Sequence, residues 1–310
     1  EDFSQKSDKY SKADFKAAWK SIKQGGRTNI ATLFKLAIDN NYKPVKTQFT
    51  EDEKQKRQQE SQARRVLREQ EAAEEQRLLT ELQNHISVVS EILWKNLPLD
   101  GESEYLKKKQ VDACGARVVN EAFMIVVDLV KNVATILVDY QDMIEMAAFK
   151  KQNPDAVSFL WIKKGTLVIP MLDINRKLWS LQFILANSTK LFIKNSRKSG
   201  TCFLMGNVHD MPAGDPICTA EGFATGASIH MATGYPVFVC WDAGNLVRMA
   251  PSVRHTFPNQ LMLVCGDNDQ KTKDNPGMKK AQDAAAKAGC DFVVPDFSQV
   301  VTEVKEAANA

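Results

Sequence analysis

The sequence lacks several features that define large classes of protein. No apolar run reaches the roughly 18 residues that a membrane-spanning helix needs, because charged residues such as Asp128 and Asp139 interrupt the richest stretch, 122–143. The N terminus has no basic start followed by an apolar core and a small-residue cleavage site. The six cysteines form no C-x-x-C pair, which argues against a zinc ribbon, and the phosphate loop of a helicase is missing. We therefore expect a cytoplasmic protein with reduced thiols, no membrane segment and no zinc.

The residues that are present are those of a folded protein with several parts. The chain has 310 residues, of which 44% are hydrophobic and 25% charged, and its mean hydropathy is −0.33. This composition supplies apolar cores for two or three domains of roughly 100–200 residues each and excludes a chain that is disordered throughout. The chain begins with Glu1 rather than Met, so we expect that its natural start is missing. The net charge of +3 is unevenly distributed.

The first part of the chain is basic and helical in pattern. Residues 1–50 contain ten Lys and Arg against five Asp and Glu. Apolar residues at helical spacing in Ala13–Lys23, followed by Thr28–Asn40, predict a helical hairpin. Residues 51–93 predict one long, charge-rich helix. We interpret 1–50 as a docking module and 51–93 as a solvated spacer.

The middle part, 94–210, predicts a basic α+β subdomain. The apolar stretch 118–163 fits strands or a buried helix equally well, so no single structure is predicted for it. We interpret this stretch as an insertion. Short β-like runs between Thr166 and Met205 predict an antiparallel meander. Its basic residues, with Trp179, Phe183 and Phe192 between them, predict a surface that follows the phosphates of a nucleic acid, although a solvated basic face stays an alternative. Between Lys163 and Lys198 there is one acid, Asp173, against eight basic residues: Lys163, Lys164, Arg176, Lys177, Lys190, Lys194, Arg197 and Lys198.

The last part, 211–310, alternates apolar strands with helices, which predicts a parallel sheet covered on both faces. Ligands bind such sheets at the carboxyl ends of the strands. Glu221 follows the first strand, and Asp267 and Asp269 follow the third, so three carboxylates are expected at one edge. Oxygen ligands without His or Cys suit Mg²⁺ or Mn²⁺ rather than Zn²⁺. The pattern predicts metal-assisted phosphoryl transfer.

This order of elements resembles the Toprim domain that bacterial primases, topoisomerases and certain nucleases share. The run Glu221–Gly226 (EGFATG) resembles the EGYATA signature of primases encoded by conjugative plasmids and satellite phages. The resemblance continues through Ala243–Leu246, the acidic triplet 267–269 and Asn275–Gly277, and the basic β runs upstream resemble the subdomain that precedes Toprim in these primases. It covers about residues 90–295.

The resemblance implies an α/β fold class: a C-terminal Toprim domain with a Rossmann-like parallel sheet, preceded by a basic α+β subdomain and an N-terminal helical module. It implies a DNA primase, a DNA-directed RNA polymerase that makes short RNA primers on single-stranded DNA. Glu221, Asp267 and Asp269 would be the catalytic residues and metal ligands. Contacts to nucleic acid or nucleotide phosphates are expected from the eight basic residues of the meander and from Lys280.

The resemblance also implies partners and leaves alternatives. The substrates would be single-stranded DNA and ribonucleoside triphosphates, and residues 1–50 would dock a replicative helicase or another replication protein in a bacterial cytoplasm. A Toprim nuclease uses similar carboxylates with water as the nucleophile. A non-catalytic DNA-binding or docking subunit is a third class. A topoisomerase is disfavoured because no tyrosine has the setting of a nucleophile.

Overall fold

The structure, a computed structural model, describes residues 49–268 and 275–295 together with Lys35, Ile38, Asp39 and Thr272. The chain divides into two compact units, Glu1–Glu69 and Gln70–Ala310, and each is considered by itself. Lys35, Ile38 and Asp39 are helical, but the rest of the predicted N-terminal hairpin lies outside the described residues, as does the last predicted helix.

Six helices with these bounds occur in the described residues: α1 (Glu51–Asn96), α2 (Glu104–Lys109), α3 (Tyr140–Gln152), α4 (Phe223–Thr233), α5 (Ala243–Thr256) and α6 (Pro276–Ala288). The strands, in chain order, are β1 (Arg117–Val118), β2 (Phe123–Asp128), β3 (Val133–Leu137), β4 (Val157–Ile162), β5 (Leu167–Leu172), β6 (Leu178–Ile184), β7 (Lys190–Phe192), β8 (Phe203–Met205), β9 (Pro216–Ala220), β10 (Val237–Val239), β11 (Leu261–Cys265) and β12 (Asp291–Val293). None of these helices is long and apolar enough to cross a membrane.

Helix α1 begins at a reciprocal cap. The Glu53 amide donates to the Thr50 hydroxyl at 3.3 Å, and the Glu53 carboxylate accepts from the Thr50 amide at 2.9 Å. The first half of the helix is exposed, whereas Leu82, Ile86 and Leu93 are buried on one stripe of the second half. One long helix was predicted for 51–93, and the structure confirms it with an end at Asn96.

The strands β1, β5, β6 and β7 form an antiparallel sheet, called here the basic sheet. Alternate residues of its strands face opposite sides. Val168 and Phe183 pack with the buried stripe of α1, whereas Leu167 and Ile169 pack with the core of the C-terminal part. The predicted meander is confirmed for β5–β7, but β8 leaves it and pairs with β10. The division at residue 211 stays a prediction.

The stretch 118–163, for which no single structure was predicted, forms a small sheet and one helix. The strands lie in the order β3-β2-β4, all antiparallel, with α3 between β3 and β4 in the chain. Ile125 and Val127 face the stripe of α1, and Met124 and Val126 pack with Met143 of α3. Because β2 is buried on both faces, its sequence lacks the polar alternation that marks a half-exposed strand.

The C-terminal part contains the predicted parallel sheet, in the order β12-β11-β9-β10-β8. Strands β9 to β12 are mutually parallel, and β8 is an antiparallel edge. Helices α5 and α6 cover one face and α4 covers the other. Helix α4 approaches so closely that a Cβ at Gly226 would lie 2.6 Å from Val239 Cγ2. Small residues thus bring the start of α4 down onto the strand ends.

Candidate active site

Two predicted carboxylates follow neighbouring parallel strands. Ala220, the last residue of β9, is paired with Cys265, the last residue of β11. Glu221 therefore follows one strand where Gly266 and Asp267 follow the other, and both carboxylates lie at the same edge of the sheet, called here the carboxylate edge. Both residues are partly buried. The structure thus places both residues after paired strand ends, whereas Asp269 lies outside the described residues.

The first turn of α4 holds one of these carboxylates. The Thr225 hydroxyl donates to Asp267 Oδ1 at 3.2 Å. Gly222 caps the helix, so Thr225 is its third residue, and the positive end of the helix dipole lies beside the carboxylates. Such a hydroxyl restricts the orientation of a carboxylate without neutralising it. Thr225 was not among the predicted site residues.

A third carboxylate belongs to the same edge. Strand β10 is parallel to β9 with Val239 opposite Ala220, and Asp242 caps α5 shortly after β10 by accepting from the Asn245 amide at 2.8 Å. Lys198 Nζ lies 2.5 Å from Asp242 Oδ2. Partial burial opposes ionisation of Asp242, but the hydrogen bond from Lys198 and backbone amides outweigh it, so the Asp242 pKa is lowered. The motif Ala243–Leu246, which begins directly after this Asp, was noted in the sequence, but Asp242 itself was missed.

The predicted basic residues occupy the two ends of the basic sheet. Leu167, Ile184 and Lys190 are neighbours across its strands, so Lys190 shares one end with the turn that carries Lys163 and Lys164. The opposite end carries the remaining members of the set: Arg176, Lys177, Lys194, Arg197 and Lys198. Lys280 is exposed on α6.

Two of these basic residues reach the carboxylate edge. A Cβ at Gly222 would lie 3.6 Å from Lys190 Nζ, so this ammonium group is beside the turn that follows Glu221. Lys198 contacts Asp242 after the next strand. Strand β7 and the loop after it therefore run along the ends of β9 and β10. The geometry brings cations and carboxylates together from parts of the chain that are about 20–50 residues apart.

A cluster of cations and one aromatic ring lies at the second end of the basic sheet. Lys177 Nζ is 3.8 Å and the Arg197 guanidinium 4.1 Å from the centre of the Trp179 ring. The Trp179 Nε1 donates to Asp173 Oδ2 at 2.8 Å, which fixes the indole. Trp179 sits where the register between β5 and β6 shifts, and such a bulge redirects a side chain. Phe183, by contrast, is fully buried, so its predicted place on this surface is wrong.

Two buried thiols, those of Cys202 and Cys240, hold their protons more tightly than a free thiol because their pKa values are raised. Burial raises the pKa of Cys240 well above its usual value, and Cys202, Asp242 and Glu221 raise it further. Burial, with a smaller effect of Asp173, raises the pKa of Cys202 to about 12. Zinc sites use thiolate or imidazole ligands, whereas the carboxylate oxygens of Glu221 and Asp267 suit hard divalent cations.

The described residues include only part of the predicted metal site. Within them, no group of three or more His, Cys, Asp and Glu side chains is close enough to hold a metal ion. Glu221 and Asp267 are two of the three predicted ligands, and Asp269 is outside the described residues. The oxygen donors of Glu221 and Asp267 thus fit the chemistry of a hard divalent ion.

Comparison with known families identifies the C-terminal part. Residues 217–298 match the family model of the Toprim domain. The parallel sheet and its helices therefore form a Toprim domain, as the sequence predicted. Domains of this family generally bind divalent metal ions such as Mg²⁺.

Two curated relatives from Escherichia coli, both named DNA primase TraC, are also similar to the chain. One is 34% identical over 134 residues, which are 42% of this chain and 13% of the relative. The other is 32% identical over 134 residues, which are 42% of this chain and 9% of the relative. The chain thus spans about a tenth of the length of either relative. These matches confirm the resemblance to plasmid-type primases with a Toprim domain.

One solved structure contains a chain that is similar over 45% of this chain and 70% of its own length. It is the bacteriophage T7 lagging-strand DNA polymerase interacting with primase domains of two gp4 subunits bound to an RNA/DNA hybrid and dTTP. The identity is 15% and the TM-score 0.32, which is too low to establish a common fold.

Proposed function

We propose that this chain makes short RNA primers on single-stranded DNA by metal-dependent nucleotidyl transfer. The observation that carries the proposal is that carboxylates and a lysine ammonium group lie at the same edge of the parallel sheet. Glu221 and Asp267 follow adjacent parallel strands, and Lys190 lies beside the turn after Glu221. The similarity to two relatives named DNA primase supports the same activity.

We assign to the carboxylates the roles that the sequence suggested. Glu221, Asp267 and Asp269 would hold Mg²⁺ or Mn²⁺, which when bound stabilises charge on the attacking and leaving oxygens of phosphoryl transfer. Thr225 keeps Asp267 in one orientation through its hydroxyl. The positive end of α4 reduces the repulsion between the carboxylates before a cation arrives.

The proposed reaction transfers a nucleotidyl group from the phosphoanhydride of a triphosphate to a hydroxyl. The 3′-hydroxyl of the growing primer attacks the α-phosphorus of a ribonucleoside triphosphate and loses its proton. A new phosphodiester bond forms while the bond to the β-phosphate breaks, and pyrophosphate leaves. Lys190, beside the catalytic turn, is suited to contact the charged phosphates during this exchange.

The basic sheet supplies the proposed nucleic-acid contacts. Phosphates of the template meet the cations at both ends of the sheet, and Trp179 with its flanking Lys177 and Arg197 offers a face for an unpaired base. The complete set proposed for these contacts is Lys163, Lys164, Arg176, Lys177, Lys190, Lys194, Arg197, Lys198 and Lys280. Residues 1–50 are proposed to dock a replicative helicase or another replication protein in a bacterial cytoplasm.

Primer synthesis on single-stranded DNA with labelled ribonucleotides and Mg²⁺ or Mn²⁺ tests the function. The wild type is compared with Asp267→Asn, which keeps the size of the side chain but removes its charge. The matched control is Asp283→Asn, which removes an exposed carboxylate that pairs with Lys287 on α6. We expect short RNA products from the wild type and the control, and at least about a 100-fold loss in Asp267→Asn.

A parallel reaction without nucleotides separates the alternatives. Template cleavage that requires metal and disappears in Asp267→Asn, without any primer synthesis, would assign the chain to the nucleases. DNA binding without synthesis or cleavage would assign it to the non-catalytic subunits. Either result would overturn the proposed function.

A further inference from the structure

The loop between β7 and β8 carries a concentrated positive charge. Residues 194–201, called here the basic loop, contain Lys194, Arg197 and Lys198 and no acidic residue. Such a loop is held in one place only if contacts from elsewhere offset the mutual repulsion of its cations and the entropy of ordering it. The structure shows such contacts: Arg197 lies against Trp179, and the Asn195 carbonyl oxygen accepts from Gln83 Nε2 at 3.4 Å. A further set comes from the turn at the carboxyl end of β10 and the first residues of α5.

Asn245 is the centre of this connection. Its side-chain amide donates to the carbonyl oxygens of Thr201 at 2.7 Å and Cys240 at 2.9 Å. Its carbonyl oxygen accepts from the Gly200 amide at 2.9 Å. The side chain is buried, so each of these bonds is shielded from water. Asn245 therefore joins the basic loop to the end of β10.

Two neighbours of Asn245 complete the connection. Trp241 Nε1 donates to the carbonyl oxygen of Thr201 at 2.9 Å and to its hydroxyl at 3.0 Å. Asp242 accepts from Lys198 at 2.5 Å. Trp241 has a φ of 73°, which is rare for a bulky residue and persists only where the surroundings determine it. The turn thus adopts a costly conformation that also brings these side chains to the loop.

We propose that Asp242 and Asn245 are positioning residues that hold the basic loop at the carboxylate edge. This proposal rests on the proposed function. In that function, the two residues align the cations of the loop with the phosphates that bind at Glu221 and Asp267. Asp242 acts through Lys198, and Asn245 acts through the backbone of Gly200 and Thr201. Neither residue needs to touch the substrate.

An effect of Asp242 through its charge alone and an effect through positioning of the loop predict opposite results for its substitution. Asp242→Asn removes a negative charge near a nucleic-acid surface, and this should strengthen binding of single-stranded DNA. Asn still caps a helix well, so α5 should keep its start. If Asp242 positions the loop, primer synthesis must nevertheless decrease.

Hydrogen exchange and kinetics are measured together on the whole chain. We expect exchange in 194–201 to rise about two- to fivefold in Asp242→Asn, as for loss of a partly exposed ion pair, and at least about tenfold in Asn245→Ala. We expect kcat/KM for primer synthesis to fall about fivefold or more in Asp242→Asn, with DNA affinity unchanged or tighter. Asp283→Asn serves as control and should change neither quantity.

A second comparison distinguishes positioning from general damage. Lys198→Gln and the double variant Asp242→Asn/Lys198→Gln should have similar kcat/KM values, because both residues act through one contact. Independent, multiplying losses would overturn the proposal, as would unchanged exchange or unchanged kcat/KM in Asp242→Asn.

The two proposals can fail separately. If the wild type makes no primers, the proposed function fails, but increased exchange in Asp242→Asn would still support its hold on the loop. If the wild type makes primers and Asp242→Asn makes them equally well, only the positioning role is overturned.

Discussion

In the Toprim sheet the charged side chains come directly after buried strands, whereas in the basic sheet they lie in exposed turns and at strand ends. Glu221 and Asp267 follow β9 and β11, whose pairing is fixed by a buried core. Lys177 and Arg197 instead lie against Trp179 on the surface. The acids are therefore placed by the backbone pairing of the sheet, and the bases are placed by individual side-chain contacts.

This difference predicts two kinds of response to substitution. A carboxylate with a fixed place in a catalytic site affects the reaction far more than it affects binding. Exposed cations that follow phosphates contribute separately and in proportion to their number, and salt weakens each contribution. Substitution of the acids should thus cause a large loss of reaction rate, whereas substitution of a basic residue should cause a smaller loss of DNA affinity.

The largest expected effect is that of Glu221→Gln. We expect primer synthesis to fall at least about 100-fold, while single-stranded DNA binds as well as before or slightly tighter because a negative charge is lost. Rates at saturating nucleotide and fluorescence anisotropy measure the two quantities. Glu104→Gln, a change of an exposed acid on α2, is the matched control. Synthesis within threefold of the wild type would remove Glu221 from the site.

A smaller effect is expected from Thr225→Val, which keeps the shape of the side chain and removes the donor to Asp267. Groups that orient metal ligands typically contribute 10–100-fold, so we expect kcat to fall about tenfold. Thr256→Val, which removes a hydroxyl bonded to a carbonyl within α5, should leave kcat unchanged. Equal rates for the two variants would show that the bond to Asp267 has no role.

A still smaller effect is expected from Lys190→Gln on the other side of the comparison. The affinity for single-stranded DNA should fall a few-fold at moderate salt, and the slope of log K against log salt should decrease by about 0.7, the value for one phosphate contact. Lys287→Gln, on the outer side of α6, is the control. A loss of synthesis at saturating DNA, with unchanged binding, would place Lys190 among the catalytic groups instead.

The smallest expected effect concerns stability and pH. The Asp242 pKa is lowered in the folded protein, so its ionised form stabilises the fold above the ordinary Asp pKa of about 3.9, and this stabilisation is lost as pH falls through the lowered value. Asp242→Asn should therefore melt at most about 2–4 °C below the wild type between pH 5 and 7. Thermal melts should converge as the pH falls from about 3.9 through the lowered Asp242 pKa; a difference that stays constant over this range would contradict this origin.

The parts of the site that could be predicted are those that follow from buried strands. The apolar runs that became β9 and β11 have no polar alternation, and such strands are parallel and end at one edge. Glu221 and Asp267 were therefore predictable as neighbours. The small sheet in 118–163 was not, because β2 is buried on both faces and its apolar run fits a helix equally well.

The other missed features depend on contacts between distant residues. Thr225 meets Asp267 only because small residues let α4 approach the sheet. Lys198 was counted among the cations of a strongly basic region, but its partner Asp242 lies 44 positions later in the chain. A net charge counted over a short stretch of sequence cannot detect such a pair. The sequence around a helix-capping residue also does not indicate which distant loop that residue contacts.

Binding of Mn²⁺ by the whole chain, followed by electron paramagnetic resonance, tests most directly whether the ends of β9 and β11 form one catalytic edge. The titration needs no DNA or nucleotide, and it compares the wild type with Asp267→Asn and the control Asp283→Asn. We expect the wild type and the control to bind Mn²⁺ alike, and the affinity of Asp267→Asn to fall at least about tenfold. Equal binding by all three proteins would contradict a metal site at this edge.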